Sequence, residues 1–448
     1  MTTASHLLRS AASVAALVVI ALLARDAAGD DREGRQSQAA GGAPLHVISL
    51  AEAVSIARTR GFDVLLSAAA VRGAEADVRT AGAPPNPFLS GGPSRRVDCR
   101  DCASPWGAFA SLSDQGLVEG AITRKRALRA DVARRALDAA RFGRADVDRI
   151  IVAQTKVQYV QTAAAQTTLD FARQVAASLE KSVEVNRVRY PRVIDEGQLA
   201  RFEQEAMKAQ QEVDRAVREL RQQQIELAVL LGMQGTIPEL GVDRTVLAFR
   251  VPDALVPTDM SALLRTAIES RPDRKQAASR IAQSEAEITF AERQRIPDVS
   301  LLVQFQQLGA GTDAPQPPTL SIGLGLALPL LYQQQGEIAR AEADRQTALV
   351  MRTRLEAAVV AELESAVNAF ATARTIVERY ESALLERAKR AKDITQIQFD
   401  AGSAKLTDLL DAQRSWVQVN VEYYAELVNY WTAVFLLEQA VGKELVRR

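Results

Sequence analysis

From Val359 the chain carries apolar residues at Leu363, Ala366, Phe370, Ala373, Val377, Tyr380 and Leu384, in alternating steps of four and three. That spacing returns to one face of an α-helix and, kept up over several heptads, predicts a coiled-coil seam. A different period governs residues 319–331, TLSIGLGLALPLL. Leu320, Ile322, Leu324, Leu326 and Leu328 fall on one side of a period-two pattern, with Thr319, Ser321, Gly323, Gly325 and Ala327 on the other. Such a strand fits a half-buried sheet with its bare side in water, or a transmembrane barrel strand between lipid and an aqueous lumen. Val299, Leu301, Val303 and Phe305 alternate in the same way with Ser300, Leu302, Gln304 and Gln306, Leu302 being the exception, and GAGTDAPQPP at 309–318 is a turn-rich tip between the two strands. Both strands reach the roughly 9 to 11 residues that cross a bilayer when tilted. That length, with two matched aliphatic faces, favours the barrel.

These patterns occur in an order that repeats. Two helical segments, a proline break, a hairpin, a very long helix, a short break and another helix run through residues 45–236 and again through 260–442. The hairpins fall at 84–113 and 297–329, and the long helices at 117–232 and 333–442. The final helices end at LLGM (Gly232) and AVGK (Gly442). A Pro-containing stretch at 237–259 reads as a linker, and 443–448 as a tail. A helical run of about 70 residues spans about 100 Å, longer than any compact domain requires. The first hairpin is the poorer one, because FLSGGPSRRV is interrupted by Gly and Pro, while WGAFASLS from Trp106 to Ser113 reads as extended.

Composition narrows the function. Of 448 residues 47% are hydrophobic and 5% aromatic, and 55 basic residues balance 55 acidic ones, so the charge gives no reason to expect nucleic acid. Residues 1–29 read as a secretory signal peptide, with Arg9, the apolar run AASVAALVVIALLA (11–24) and small residues at Ala27, Ala28 and Gly29. Residues 30–44 read as a disordered lead-in. Nothing after Ala24 is apolar enough to cross a membrane as a helix, so a membrane-spanning mature chain would do so as a barrel. Two hairpins supply only four strands, whose edges lipid cannot satisfy, and cyclic copies would give 8 or 12 strands from two or three chains. The two histidines are His6 and His46, and HExxH, P-loop and GxSxG motifs are absent. No enzyme, cofactor or metal site is therefore expected.

Over its mature length the chain resembles the outer-membrane efflux protein family, the TolC-like channels of tripartite export systems. The resemblance is carried by PPNPF (84–88), LLRTAIESRPD, AASRIAQSEAEITFAERQRIPDVSL, LGLALPLL with GEIARAEAD, and AGSAKLTDLLDAQRSWVQVN. Features such as the paired LLG and AVG helix ends are similar to the heavy-metal branch. The resemblance implies a mainly α protein with a membrane β-barrel: a homotrimer, four strands per chain, whose 12-stranded barrel continues into a long α-helical barrel of coiled coils crossing the periplasm. It further implies a passive outer-membrane channel served by a periplasmic adaptor and an inner-membrane transporter. A channel for protein secretion and a secreted coiled-coil rod without a pore are the alternative readings.

The resemblance also assigns roles. The aliphatic faces, Val299, Leu301, Val303 and Phe305 with Leu320, Ile322, Leu324, Leu326 and Leu328, would meet lipid. Gly402 and Ser403, and in the first copy Arg192 and Val193, would form the turns on which the adaptor docks. Asp408 and Asp411, one helical turn apart, would line the periplasmic gate as carboxylate rings. Aligning RYPRV with QFDAG sets Val193 opposite Gly402 and Leu199 opposite Asp408, leaving the first copy without a gate carboxylate. Cys99 and Cys102, in the first hairpin, are candidates for a local disulfide in an exported protein.

Overall fold

The computed structural model describes residues 46–95, 97, 106–114, 122–192, 194–252, 255, 259–308, 317–326 and 328–445. The expected signal peptide, the lead-in, both cysteines, Val193 and Ala327 lie outside them.

The first copy begins with a short strand β1 (His46–Ile48) and helices α1 (Leu50–Arg60) and α2 (Phe62–Gly82). Ser49 starts α1 by accepting from the Glu52 backbone N–H at 3.2 Å. Strands β2 (Phe88–Arg95) and β3 (Trp106–Ser113) follow, and then α3 (Lys125–Arg189) and α4 (Glu196–Leu230). The second copy holds α5 (Met260–Ser270), α6 (Pro272–Arg293), β5 (Val299–Leu308) and β6 (Thr319–Leu326). It closes with α7 (Gln335–Arg379), a π-helical turn (Tyr380–Leu384), α8 (Leu385–Asp400) and α9 (Leu406–Val441).

The two copies keep a common register at their boundaries. Arg124 and Gln334, which precede α3 and α7, both adopt left-handed φ values, 59° and 61°. Gly232 and Gly442, which end α4 and α9, do the same at 72° and 74°. The residues that open α4 and α9, Asp195 and Lys405, stand at the same interval as these pairs. Helix α3 is 65 residues long, whereas α7, the π turn and α8 have 45, 5 and 16. The second run thus holds one residue more, and a π turn absorbs one residue without lengthening a helix by a further step. The expected seam holds through Val359, Leu363, Ala366, Phe370, Ala373 and Val377, all buried. It fails at Leu384, 41% exposed, because the π turn rotates the following residues off that face.

The stretch read as a linker contributes to the core. Strand β4 (Leu240–Val242) pairs in parallel with β1, and a 3₁₀ turn (Arg244–Leu247) follows it. Tyr159 of α3 fastens the pair, donating to the Ile48 carbonyl at 2.7 Å and accepting from the Asp243 N–H at 2.8 Å. Leu240, Val242, Val246, Leu247 and Leu255 join Trp431, Tyr430, Phe370 and Phe435 in the largest apolar cluster. A sequence this polar at its edges and rich in proline hides a two-strand pairing, since each strand is only 3 residues long.

Both hairpins join one four-stranded antiparallel sheet, in the order β2-β3-β5-β6. Strand β6 is shorter than expected and stops at Leu326, paired with Val299. Pro297, just before β5, has no N–H to extend the ladder, and Pro329 follows on the β6 side. Leu328 therefore lies beyond the strand, exposed, and is no part of the paired face.

Candidate functional site

The sheet sorts its side chains by register. Leu89, Leu112, Val303 and Ile322 stand opposite one another across all four strands, and the neighbouring row is Ser90, Ser111, Gln304 and Ser321. Ser90 and Ser111 are hydrogen-bonded through their hydroxyls at 2.7 Å. Along β2 and β3 the residues sharing a face with Leu89 and Leu112 are more exposed than those beside the serines. Val299, Leu301, Val303 and Phe305 pair with Leu326, Leu324, Ile322 and Leu320, so the aliphatic residues of the second hairpin share one face. Leu302, the aliphatic exception, stands on the small-residue face between Ser113 and Gly323. The outer edges of β2 and β6 have no partner strand among the described residues.

The opposite end of the long helices holds the turns. Helix α8 closes in a Schellman arrangement: Gly402 takes φ 76°, its N–H reaches the Phe399 carbonyl, and the Ser403 N–H reaches that of Gln398, both at 2.9 Å. The Ser403 hydroxyl donates to the same Gln398 carbonyl at 3.0 Å. Three residues into α9, the Asp408 carboxylate accepts from the Lys405 N–H at 3.2 Å, which places a negative charge at a helix start. Asp411 is largely exposed and lies 3.3 Å from Arg414 on its own helix.

In the first copy, Asp195 and Gln198 form a reciprocal capping box at the start of α4, with the Gln198 N–H reaching Asp195 at 2.7 Å. Matching the helix starts sets Gln198 opposite Asp408 and Arg192 opposite Gly402. This is one position from the register expected on sequence, because the connection after α3 is longer than that after α8. The first copy presents no carboxylate at the positions matching Asp408 and Asp411.

The two turns sit side by side. Val183, Phe202, Leu406, Leu409 and Leu410 make one buried cluster, drawing α3, α4 and α9 together, and Phe399 of α8 packs on it edge to face with Phe202 at 6.1 Å. Arg189 reaches Asp400 at 3.4 Å between the ends of α3 and α8. Arg414 spans from α9 to Glu205 of α4 at 2.6 Å, and Lys208 approaches the same carboxylate at 3.1 Å. The hydrogen bond from Arg414 is the chief cause holding the Glu205 carboxyl below its ordinary value. Sequence inspection missed Arg414, Glu205 and Arg189. The one local sign was the three-residue spacing of Asp411 and Arg414 on one helix.

Residues 263–443 match the model of the outer membrane efflux protein family. Over 416 residues, 88% of this chain and 85% of the relative, the chain is 26% identical to the pyoverdine export outer membrane protein OpmQ of Pseudomonas putida. Residues 263–443 thus carry the outer membrane efflux protein pattern, and the likeness to OpmQ extends over most of the chain. A second relative, the cobalt-zinc-cadmium resistance protein CzcC of Cupriavidus metallidurans, is 24% identical over 194 residues, covering 43% of this chain and 45% of CzcC. The fold agrees with that of the crystallised channel protein CusC, with TM-score 0.72 and 16% identity over 89% of this chain and 93% of that one.

Proposed function

We propose that the protein is the outer-membrane channel of a tripartite efflux system, in which three copies close one 12-stranded barrel. The carrying observation is a four-stranded sheet with an aliphatic row crossing every strand and both edges, β2 and β6, left open. In lipid an unpaired strand edge is untenable, so β6 of one copy pairs with β2 of the next until the ring closes. The row Ser90, Ser111, Gln304 and Ser321 then lines water, and the row through Leu89 and Ile322 meets hydrocarbon. The helices continue the channel into the periplasm.

Conduction is passive, and an inner-membrane transporter supplies the energy through a periplasmic adaptor. The turns at Gly402 and Ser403 and at Arg192 and Val193 are the surface offered to that adaptor. Three copies of Asp408 and Asp411 ring the mouth there and favour cations. Relatives named for pyoverdine export and for cobalt-zinc-cadmium resistance favour a small solute over a protein as cargo. Fractionation of the outer membrane, cross-linking of the purified protein and conductance in planar bilayers test the reading. A trimer of low resting conductance is expected, and a monomer in the soluble periplasmic fraction would end it.

A further inference from the structure

The lipid-facing side of the sheet changes character toward the hairpin tips. Above Phe305 the row on that face is Gln307, Ala108 and Pro93, so the large aliphatic side chains give out. The next pair on the same face is Arg95 and Trp106, the last in the β2–β3 ladder and the farthest from the helices. Trp106 is 55% exposed, and the Arg95 guanidinium lies over its ring, 5.4 Å from the centroid. Among the described residues Arg95 has no carboxylate partner.

Height places this pair. From the Val299–Leu326 pair up to Phe305, and on through the facing Ala110 to Trp106, is roughly ten residues of strand. At about 3.3 Å per residue and a tilt of about 40° that path rises about 25 Å, the height of the apolar band on outer-membrane barrels. Trp106 therefore sits where hydrocarbon gives way to headgroups, the level at which indoles collect. A guanidinium held over an indole is already oriented, and its planar fork matches phosphate oxygens.

We infer that Arg95 and Trp106 form a binding site for the anionic phosphate headgroup of an outer-leaflet lipid, one site per copy. The indole seats against the upper acyl chain while the guanidinium takes the phosphate. The site rests on the reading of the sheet as membrane-spanning, and its tests separate the two.

Trimer is reconstituted in vesicles containing lipids brominated either near the headgroup or at mid-chain, and the quenching lost in Trp106→Phe reports the depth of Trp106. Native mass spectrometry then counts retained phosphatidylglycerol against phosphatidylcholine. We expect headgroup-level quenching, several-fold loss of retained phosphatidylglycerol in Arg95→Gln, an intermediate loss in Arg95→Lys and unchanged phosphatidylcholine, all with wild-type channel conductance. Millimolar inorganic phosphate should leave the lipid in place; displacement would mean a free-anion site and overturn the inference. Trp106 unquenched by either lipid would overturn the membrane reading itself. Headgroup-level quenching with phosphatidylglycerol retention unchanged in Arg95→Gln, or a protein partner held there in its stead, overturns the lipid site alone.

Discussion

Arg414 of α9 holds Glu205 of α4 at 2.6 Å and touches Asp411 at 3.3 Å, so one cation ties α9 to the neighbouring helix pair. Because the bonded Glu205 carboxyl titrates below its ordinary 4.5, the tie is fully present above that pH and lost as pH falls through the lowered value. Arg414→Gln should raise resting conductance in planar bilayers at pH 7, by freeing α9 at the mouth. Wild-type channel should behave alike at pH 7 and pH 5 and open further only below pH 4.5, with the variant showing no such acid step.

The carboxylates of the proposed gate carry a second expectation. Asp408 caps α9 and Asp411 is exposed, so their exchange for Asn removes charge while leaving a group that can still accept a hydrogen bond. Asp408→Asn with Asp411→Asn should lower cation preference and weaken block by multivalent cations from the periplasmic side, with trimer assembly retained. Glu378→Gln with Glu386→Gln is the control, since both glutamates pair within their own helices, with Arg374 and Arg390. Equal changes in reversal potential from the two double variants would remove Asp408 and Asp411 from the gate.

Much of this architecture was legible in the sequence where periodicity carries it. The period-two faces of β5 and β6, the seam up to Val377 and the helix-ending glycines at 232, 402 and 442 each follow from local pattern and backbone chemistry. The π turn was not legible, because the apolar pattern runs on through Tyr380 and Leu384, and the turn balances the length of α3 against α7 and α8. Nor was the Arg414–Glu205 tie, whose partners lie in different sequence repeats of the same chain. The place of β4 in the core depends on a partner strand at the far end of the chain, beyond any window of local pattern.

The π turn can be tested by removing its extra residue. Tyr380 donates to Glu422 at 3.0 Å and Tyr423 to Glu381 at 2.7 Å, a reciprocal pair that clasps the turn to α9. Deleting Ser382 would let an unbroken α-helix run through the site with the residues after it kept in register, at the loss of the two tyrosine–glutamate bonds that clasp the turn. The deletion should lower the melting temperature of the trimer by several degrees, whereas Ser382→Ala, at an exposed site, should leave it unchanged.

Two glycines with the same backbone angle should respond differently to a methyl group. At Gly232 a Cβ would lie 2.0 Å from the Arg60 carbonyl oxygen, in addition to the strain of φ 72°. At Gly402, with φ 76°, a Cβ meets nothing within 4 Å. Gly402→Ala should cost only the left-handed penalty, about 1 to 2 kcal/mol. Gly232→Ala must also push the α1 end off α4, and should cost more. Denaturant unfolding of the two variants compares them directly, and equal losses would mean that the Arg60 contact yields freely.

On the sheet, adjacent residues of one strand make the sharpest comparison. Leu324 is 75% exposed on the aliphatic face, opposite Leu301, whereas Gly323 belongs to the other face, opposite Leu302. A Cβ at Gly323 meets nothing within 4 Å, so Gly323→Ser adds a small polar group to the face proposed to line water, without a clash. Leu324→Arg sets a cation against hydrocarbon, at about 2 to 4 kcal/mol per copy near the bilayer centre and less toward the interface. In the proposed trimer three copies multiply that cost in one assembly, so trimer recovered from outer membranes should fall steeply for Leu324→Arg. Gly323→Ser should yield trimer at the wild-type level. The contrast isolates the face, because the two positions are adjacent on one strand and at nearly the same depth. If the two variants insert and assemble equally well, the face through Leu89, Leu112, Val303 and Ile322 does not meet lipid.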